Sequence, residues 1–207
     1  MNRHCVPAIL ILAVVAAGAF GQTDIGLRVG VSASRFSFAA SPEDAWSPRY
    51  AASFGGFAAF AAAKKLSPRI ELAYVEKGAT AAGTYDGSEV RIQESLSYLE
   101  CSAVIDFRIW RRDRVSVGVQ AGFFAASRLG AKTLTSWQGE TSEDNIRSEI
   151  RSLDSGIAAG LEGSWGAWRL GIRMTMGLAD LRADRSFGSA VRNRSLILTA
   201  GYGVRFY

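Results

Sequence analysis

Asp24-Ile25-Gly26-Leu27-Arg28-Val29-Gly30-Val31-Ser32-Ala33-Ser34, residues 24–34, alternates without a break. Ile25, Leu27, Val29, Val31 and Ala33 fall on one face, and Gly26, Arg28, Gly30, Ser32 and Ser34 on the other. A period of two is the mark of a β-strand whose faces meet different surroundings. Here one face is greasy and the other is small or polar.

The pattern returns seven more times. Tyr50 to Ala62 is rich in Ala, Gly and Phe, and its phase is ambiguous. Arg69 to Lys77 sets Ile70, Leu72 and Tyr74 against Arg69, Glu71, Ala73 and Lys77. Ser95 to Ile109 sets Leu99, Cys101, Ala103, Ile105 and Phe107 against Tyr98, Glu100, Ser102 and Asp106. Arg114 to Ser127 sets Val115, Val117, Val119, Ala121 and Phe123 against Ser116, Gly118, Gln120 and Gly122. Beyond a polar stretch, Ile157, Ala159, Leu161 and Trp165 oppose Asp154, Gly156, Gly160, Glu162 and Ser164. Trp168, Leu170, Ile172, Met174 and Met176 then oppose Arg169, Gly171, Arg173 and Thr175. Last, Leu196, Leu198, Ala200, Tyr202, Val204 and Phe206 oppose Ser195, Thr199, Gly201, Gly203 and Arg205.

The connections alternate in length. Residues 64–67, 111–113 and 166–167 are tight, whereas 39–49, 79–94, 128–152 and 179–194 are long and polar. Eight strands with tight turns at one end and long loops at the other predict an all-β, eight-stranded antiparallel transmembrane barrel. Each segment reaches the roughly 9–11 residues that a tilted spanning strand needs.

A soluble, lipocalin-like periplasmic barrel would also alternate, with its apolar face inward. In this chain the polar face carries the glycines and serines that suit the crowded interior of eight strands. The opposite face carries bulky Leu, Ile, Phe and Trp, which suit lipid. Trp110, Trp165, Trp168 and Phe206 all fall near the tight turns or the last strand's end, where an aromatic girdle is expected.

The first residues supply a route to that membrane. Arg3 and His4 precede an apolar run from Val6 to Ala17, and Ala19-Phe20-Gly21 follows, so residues 1–21 are expected to be a cleaved signal peptide and 22–207 the barrel domain. The run is shorter than the ~20 apolar residues of a membrane-spanning helix. Cys5 precedes it and is misplaced for lipidation. Cleavage removes Arg3 from the 24 basic residues and leaves a mild net charge of +4, scattered and without a basic helix, so no nucleic-acid partner is expected. It also removes Cys5, leaving Cys101 with no partner for an internal disulfide.

At this point the residues resemble a family. Gly55-Gly56-Phe57 through Leu66, then Ile70-Glu71-Leu72-Ala73-Tyr74-Val75-Glu76-Lys77-Gly78, look like the core of the PorT-like outer-membrane β-barrel family. Further matches are Tyr98-Leu99-Glu100, Asp154-Ser155-Gly156 to Gly160, and Gly177-Leu178-Ala179-Asp180-Leu181. The sequence departs at Cys101-Ser102, where that family tends to have Ile-Pro. The resemblance covers 24–207 and implies fold and location. The family's namesake is associated with protein secretion across the outer membrane, a role that fold-level likeness does not transfer.

The chemistry is sparse. The single histidine of the chain, His4, lies in the expected signal peptide, which excludes His-dependent catalysis and the usual His-containing zinc sites from the mature protein. Asn193-Arg194-Ser195 matches a glycosylation acceptor in a compartment where it has no meaning. Glu100, Asp106 and Glu162 as a carboxylate pair for glycoside hydrolysis would need a sugar-sized cleft. No catalytic residue, cofactor or metal is expected.

Charges on the inward face are balanced instead: Arg28, Arg69, Arg169, Arg173 and Arg205 against Glu71, Glu100, Asp106, Asp154 and Glu162. They are expected to pair and plug the lumen, since buried charges without partners cost several kcal/mol each, on the order of their desolvation. The alternative is a selectivity ring in a narrow ion-conducting pore or secretion accessory. Loop 128–152 offers Trp137 and acidic residues, and loop 179–194 offers Arg182, Arg185, Arg192 and Arg194. Exposed loops on a rigid scaffold often bind partners. The sequence thus points to a non-enzymatic outer-membrane barrel with a structural or surface-interaction role. Its expected partners are outer-membrane lipids and, during insertion, the barrel-assembly machinery, which commonly reads a last strand ending in an aromatic such as Phe206.

Overall fold

The computed structural model describes residues 22–38, 46–61, 63–183 and 190–206. The expected signal peptide, residues 1–21, lies outside them, as do Tyr207 and parts of two loops. Nine strands are present: β1 (Thr23–Phe38), β2 (Trp46–Phe60), β3 (Leu66–Tyr85), β4 (Ser88–Arg112), β5 (Val115–Trp137), β6 (Glu140–Asn145), β7 (Leu153–Trp165), β8 (Trp168–Gly177) and β9 (Val191–Phe206). Every pairing between them is antiparallel.

Eight of the nine strands close a ring. β1 pairs with both β2 and β9, β4 pairs with β5, and β5 passes on through β7 and β8 back to β9. Closure leaves the ring without a free edge, which lets strands cross a bilayer with every backbone group paired. Among the described residues no helix is long and apolar enough to cross a membrane.

Which face each residue takes follows from the alternation. Leu27, Phe123, Leu170 and Leu198 are between 64% and 73% exposed. Their neighbours Arg28, Phe124, Gly171 and Ile197 are buried in the lumen. The ambiguous phase of β2 resolves through pairing: Phe57 stands opposite Gly26, which stands opposite Gly203. The Phe57 ring occupies the lumen space above these two glycines, where a Cβ at Gly26 would lie 2.5 Å from the ring. A side chain at that row on β1 would displace Phe57.

The long connections differ from expectation. Residues 79–94 are not a loop: β3 and β4 stay paired to Tyr85↔Ser88 and turn at Asp86-Gly87. Asp86 and Gly87 have φ of 49° and 73°. Two successive left-handed residues make the tight turn whose twist suits a hairpin, and Asp-Gly tolerates it. Likewise 128–152 contains the β5–β6 hairpin, turning at Gln138-Gly139. The stretch 79–94, read as a loop, continues as strand: apolar alternation there is confined to Val90 and Ile92 against Glu89, Arg91 and Gln93, too short a run to mark a strand. Together β3, β4, β5 and β6 form a sheet projecting beyond the ring, with Tyr85 and Trp137 in edge-to-face contact at its tip, ring centres 6.3 Å apart.

Candidate functional site

Seven charged side chains predicted to face inward meet near the end of the ring that carries the turns 63–65, 113–114 and 166–167. Arg69 on β3 donates from both Nη atoms to Glu162 on β7, at 2.6 Å each, and lies 2.7 Å from Asp106 on β4. Arg173 on β8 grips Glu71 in the same two-pronged way, at 2.5 and 2.8 Å, and donates to Gln120 at 2.8 Å. Arg28 on β1 bonds Glu71 and Thr199 and reaches Glu162 at 3.5 Å. Arg169 bridges Glu162 at 3.0 Å to Asp24 at 2.6 Å.

The arrangement is buried and cross-braced. Arg69 is 2% exposed and Glu71 is 4% exposed. Planar guanidiniums meeting carboxylates at two points give strong, directional pairs. Glu71 and Glu162 each serve three arginines, whereas Asp106 is paired with Arg69. Phe57 supports it from below, with the Arg69 and Arg169 guanidiniums 5.2 and 5.0 Å from its ring centre.

The sequence reading placed ten charges in one lumen set, and the structure separates three of them. Glu100 and Asp154 stand farther along the lumen around Lys77, whose Nζ is 2.8 Å from Glu100 and 3.7 Å from Asp154. Register decides this: Glu100 lies opposite Ala73, two pairs along β3 from Glu71. Arg205 is not a buried member. It pairs with Asp24 at 2.8 Å with its side chain 46% exposed, because its strand ends at the mouth.

Several participants were not singled out from the sequence. Asp24, Gln120, Thr199, Asn193 and Phe57 all take part, and Lys77 holds the second cluster with its Nζ 4.2 Å from the Phe124 ring centre. Gln120, Thr199 and Lys77 lie on the inward face of the alternation, and the first two carry no charge to mark them. Nothing in the ambiguous β2 pattern announced Phe57.

A third, apolar layer closes the far end. Phe36, Leu96, Tyr98, Phe124 and Leu181 are buried together there. Leu181 comes from the segment after β8, held by its amide on the Val191 carbonyl at 2.8 Å and by the Arg151 amide on its own carbonyl at 2.6 Å. The sequence reading held no expectation of an apolar plug.

On the outer wall, Trp110, Trp165, Trp168 and Phe206 are 48%, 67%, 57% and 54% exposed, all near the turn end. Trp168 pairs in register with Trp165 and packs edge-to-face on Tyr202 at 5.1 Å. No cluster of metal-ligating side chains occurs among the described residues.

Comparison with known proteins agrees with this architecture. The outer membrane protein beta-barrel domain matches residues 20–182. No curated protein matches the chain. Among solved structures it is similar to Ail, the attachment invasion locus protein of Yersinia pestis, determined with the heparin analogue sucrose octasulfate: 16% identity, 89% of this chain, 99% of that one, TM-score 0.46. It is similar also to OprG from Pseudomonas aeruginosa, at 10% identity, 91% and 97% coverage and TM-score 0.47. The outer membrane protease OmpT from Escherichia coli matches at 11% identity, 89% and 96% coverage and TM-score 0.42. A match over most of the chain, on a closed ring with a greasy exterior, makes this protein a member of the outer membrane protein beta-barrel domain family, resident in the bacterial outer membrane.

Proposed function

We propose that this barrel does not conduct and that its work is done at the cell surface, by the sheet that β3, β4, β5 and β6 raise beyond the ring. The observation that supports the reading is that side chains of unlike chemistry occupy the lumen at successive levels: the Arg69–Glu162 and Arg173–Glu71 network, then Lys77 with Glu100 and Asp154, then the apolar layer under Leu181. An ion would have to break paired buried charges and then cross an apolar seal. Eight strands leave little bore even before these side chains fill it.

The extension supports a surface role. β4 has 25 residues and β5 has 23, far more than the roughly 9–11 that cross the bilayer. The excess continues as paired strands beyond the ring, and sites carried on strands are held more precisely than sites on loops. The protein is read as non-enzymatic. Within its family the PorT-like kind is favoured by the Glu71-Leu72-Ala73-Tyr74 and Lys77-Gly78 motif, and outer-membrane lipids and the assembly machinery are its proposed partners.

Planar-bilayer recording of the refolded full chain tests the closure. No steady conductance is expected from the wild type, and large, steady steps would overturn the plug and make the same charges a selectivity filter. Replacing residues 81–92 by a short turn should leave heat-modifiable folding intact, because the extension adds nothing to ring closure.

A further inference from the structure

Short turns of such barrels face the periplasm. At that mouth lies a cavity of about 780 Å³, walled by the turns and floored by Arg69, Glu162 and Arg169. It is a blind cup, because the ion-pair network seals its inner end. Its volume is within the roughly 300–1,000 Å³ of ligand sites.

Charge in the cup is lopsided. Eight basic side chains line it against four acidic ones. Of the acids, Asp24, Asp106 and Glu162 are already held by Arg169, Arg205 and Arg69. Lys64, Lys65, Arg108, Arg111 and Arg114 are left facing Asp113 as the remaining acid of the lining. Arg108 is the focus, because Arg111, Arg169 and Arg205 line the same cup. Its Nη1 donates to the Lys64 carbonyl at 3.0 Å, which ties the cation to the β2–β3 turn. The β4 strand is irregular between Arg108 and Trp110, and a bulge at a rim re-aims side chains.

Like charges gathered around a concave space repel one another unless an anion joins them. We propose that this periplasmic cup binds a soluble anion bearing two or more phosphate or carboxylate groups, with Arg108 and Arg111 as its principal contacts. A lipid headgroup would approach along the outer wall, whereas this cavity opens along the barrel axis and ends inside the lumen, so a soluble ligand is favoured. The inference is independent of what the surface sheet does.

The test titrates tripolyphosphate into the refolded full chain in phosphatidylcholine nanodiscs by calorimetry, with citrate as the carboxylate probe. Saturable binding that weakens with added salt is expected. Arg108→Gln with Arg111→Gln should raise Kd about tenfold or more, while Arg91→Gln, on the surface sheet, leaves it unchanged. Equal affinity in the double variant, or no binding of either probe to the wild type, would overturn the proposal. So would loss of tripolyphosphate binding on adding phosphatidylglycerol to the discs, which would make the site a lipid site. Heat-modifiability of the variants confirms that each is folded before titration.

Discussion

Arg69 and Glu162 stand 93 residues apart in sequence and three strands apart around the ring, yet each Nη of Arg69 lies 2.6 Å from an oxygen of Glu162. The pair is a tie across the lumen. It holds two walls of the barrel at a set distance and leaves neither charge facing an apolar wall.

Removing one partner should therefore cost far more inside the lumen than at its mouth. Glu71→Ala strands the guanidiniums of Arg28 and Arg173 and is expected to destabilise the barrel by about 3–5 kcal/mol. Arg205→Ala breaks a half-exposed pair and should cost under about 1 kcal/mol. Urea unfolding in detergent micelles, followed by tryptophan fluorescence, compares the two. Equal losses would show that burial does not set the strength of these pairs.

Phe57 fills a space that glycines leave open. Phe57→Ala is expected to cost about 3–5 kcal/mol, as for other large-to-small changes at buried aromatics, and Phe57→Leu less. The unfolding midpoint reads both, and a neutral Phe57→Ala would mean that its neighbours collapse into the gap.

The outer wall makes an opposite demand. Leu198→Arg puts a charge among exposed Leu and Ile of the spanning region and should cost about 2–4 kcal/mol if the site is near the midplane. Thr84→Arg, on the projecting sheet, should stay within about 0.5 kcal/mol. Folding into vesicles, with urea titration, distinguishes lipid from water at each position.

The seal by Leu181 depends on its neighbour. Burial would raise the Asp180 carboxyl, but the Val191 and Arg182 amides that donate to it, at 3.1 and 3.2 Å, hold it below its ordinary 3.8. A depressed folded value means that the contribution is complete above the ordinary value and disappears as pH falls through the depressed one. Acid should thus loosen this segment, and Asp180→Asn should loosen it at neutral pH. Hydrogen exchange at the Val191 and Arg182 amides measures both, and no change on acidification would show that these bonds do not hold the segment.

The eight strands of the ring and, outside β2, the direction of each face were legible in the residues themselves, because a bilayer outside and a crowded lumen inside impose opposite chemistry at every second position. Arg28 and Leu27 differ in burial for that reason alone. Pairing partners were not legible. Register is a property of two strands, so only the folded ring could bring Arg69 to Glu162, part Glu100 and Asp154 from Glu71, and seat Phe57 over Gly26. The projecting hairpins are hard to read for a different reason: their apolar alternation is as short as Val90 and Ile92 against Glu89, Arg91 and Gln93. What the chain alone determined was inside and outside; which residues meet across the lumen was decided by closure of the barrel, which alone brings distant strands within hydrogen-bond reach.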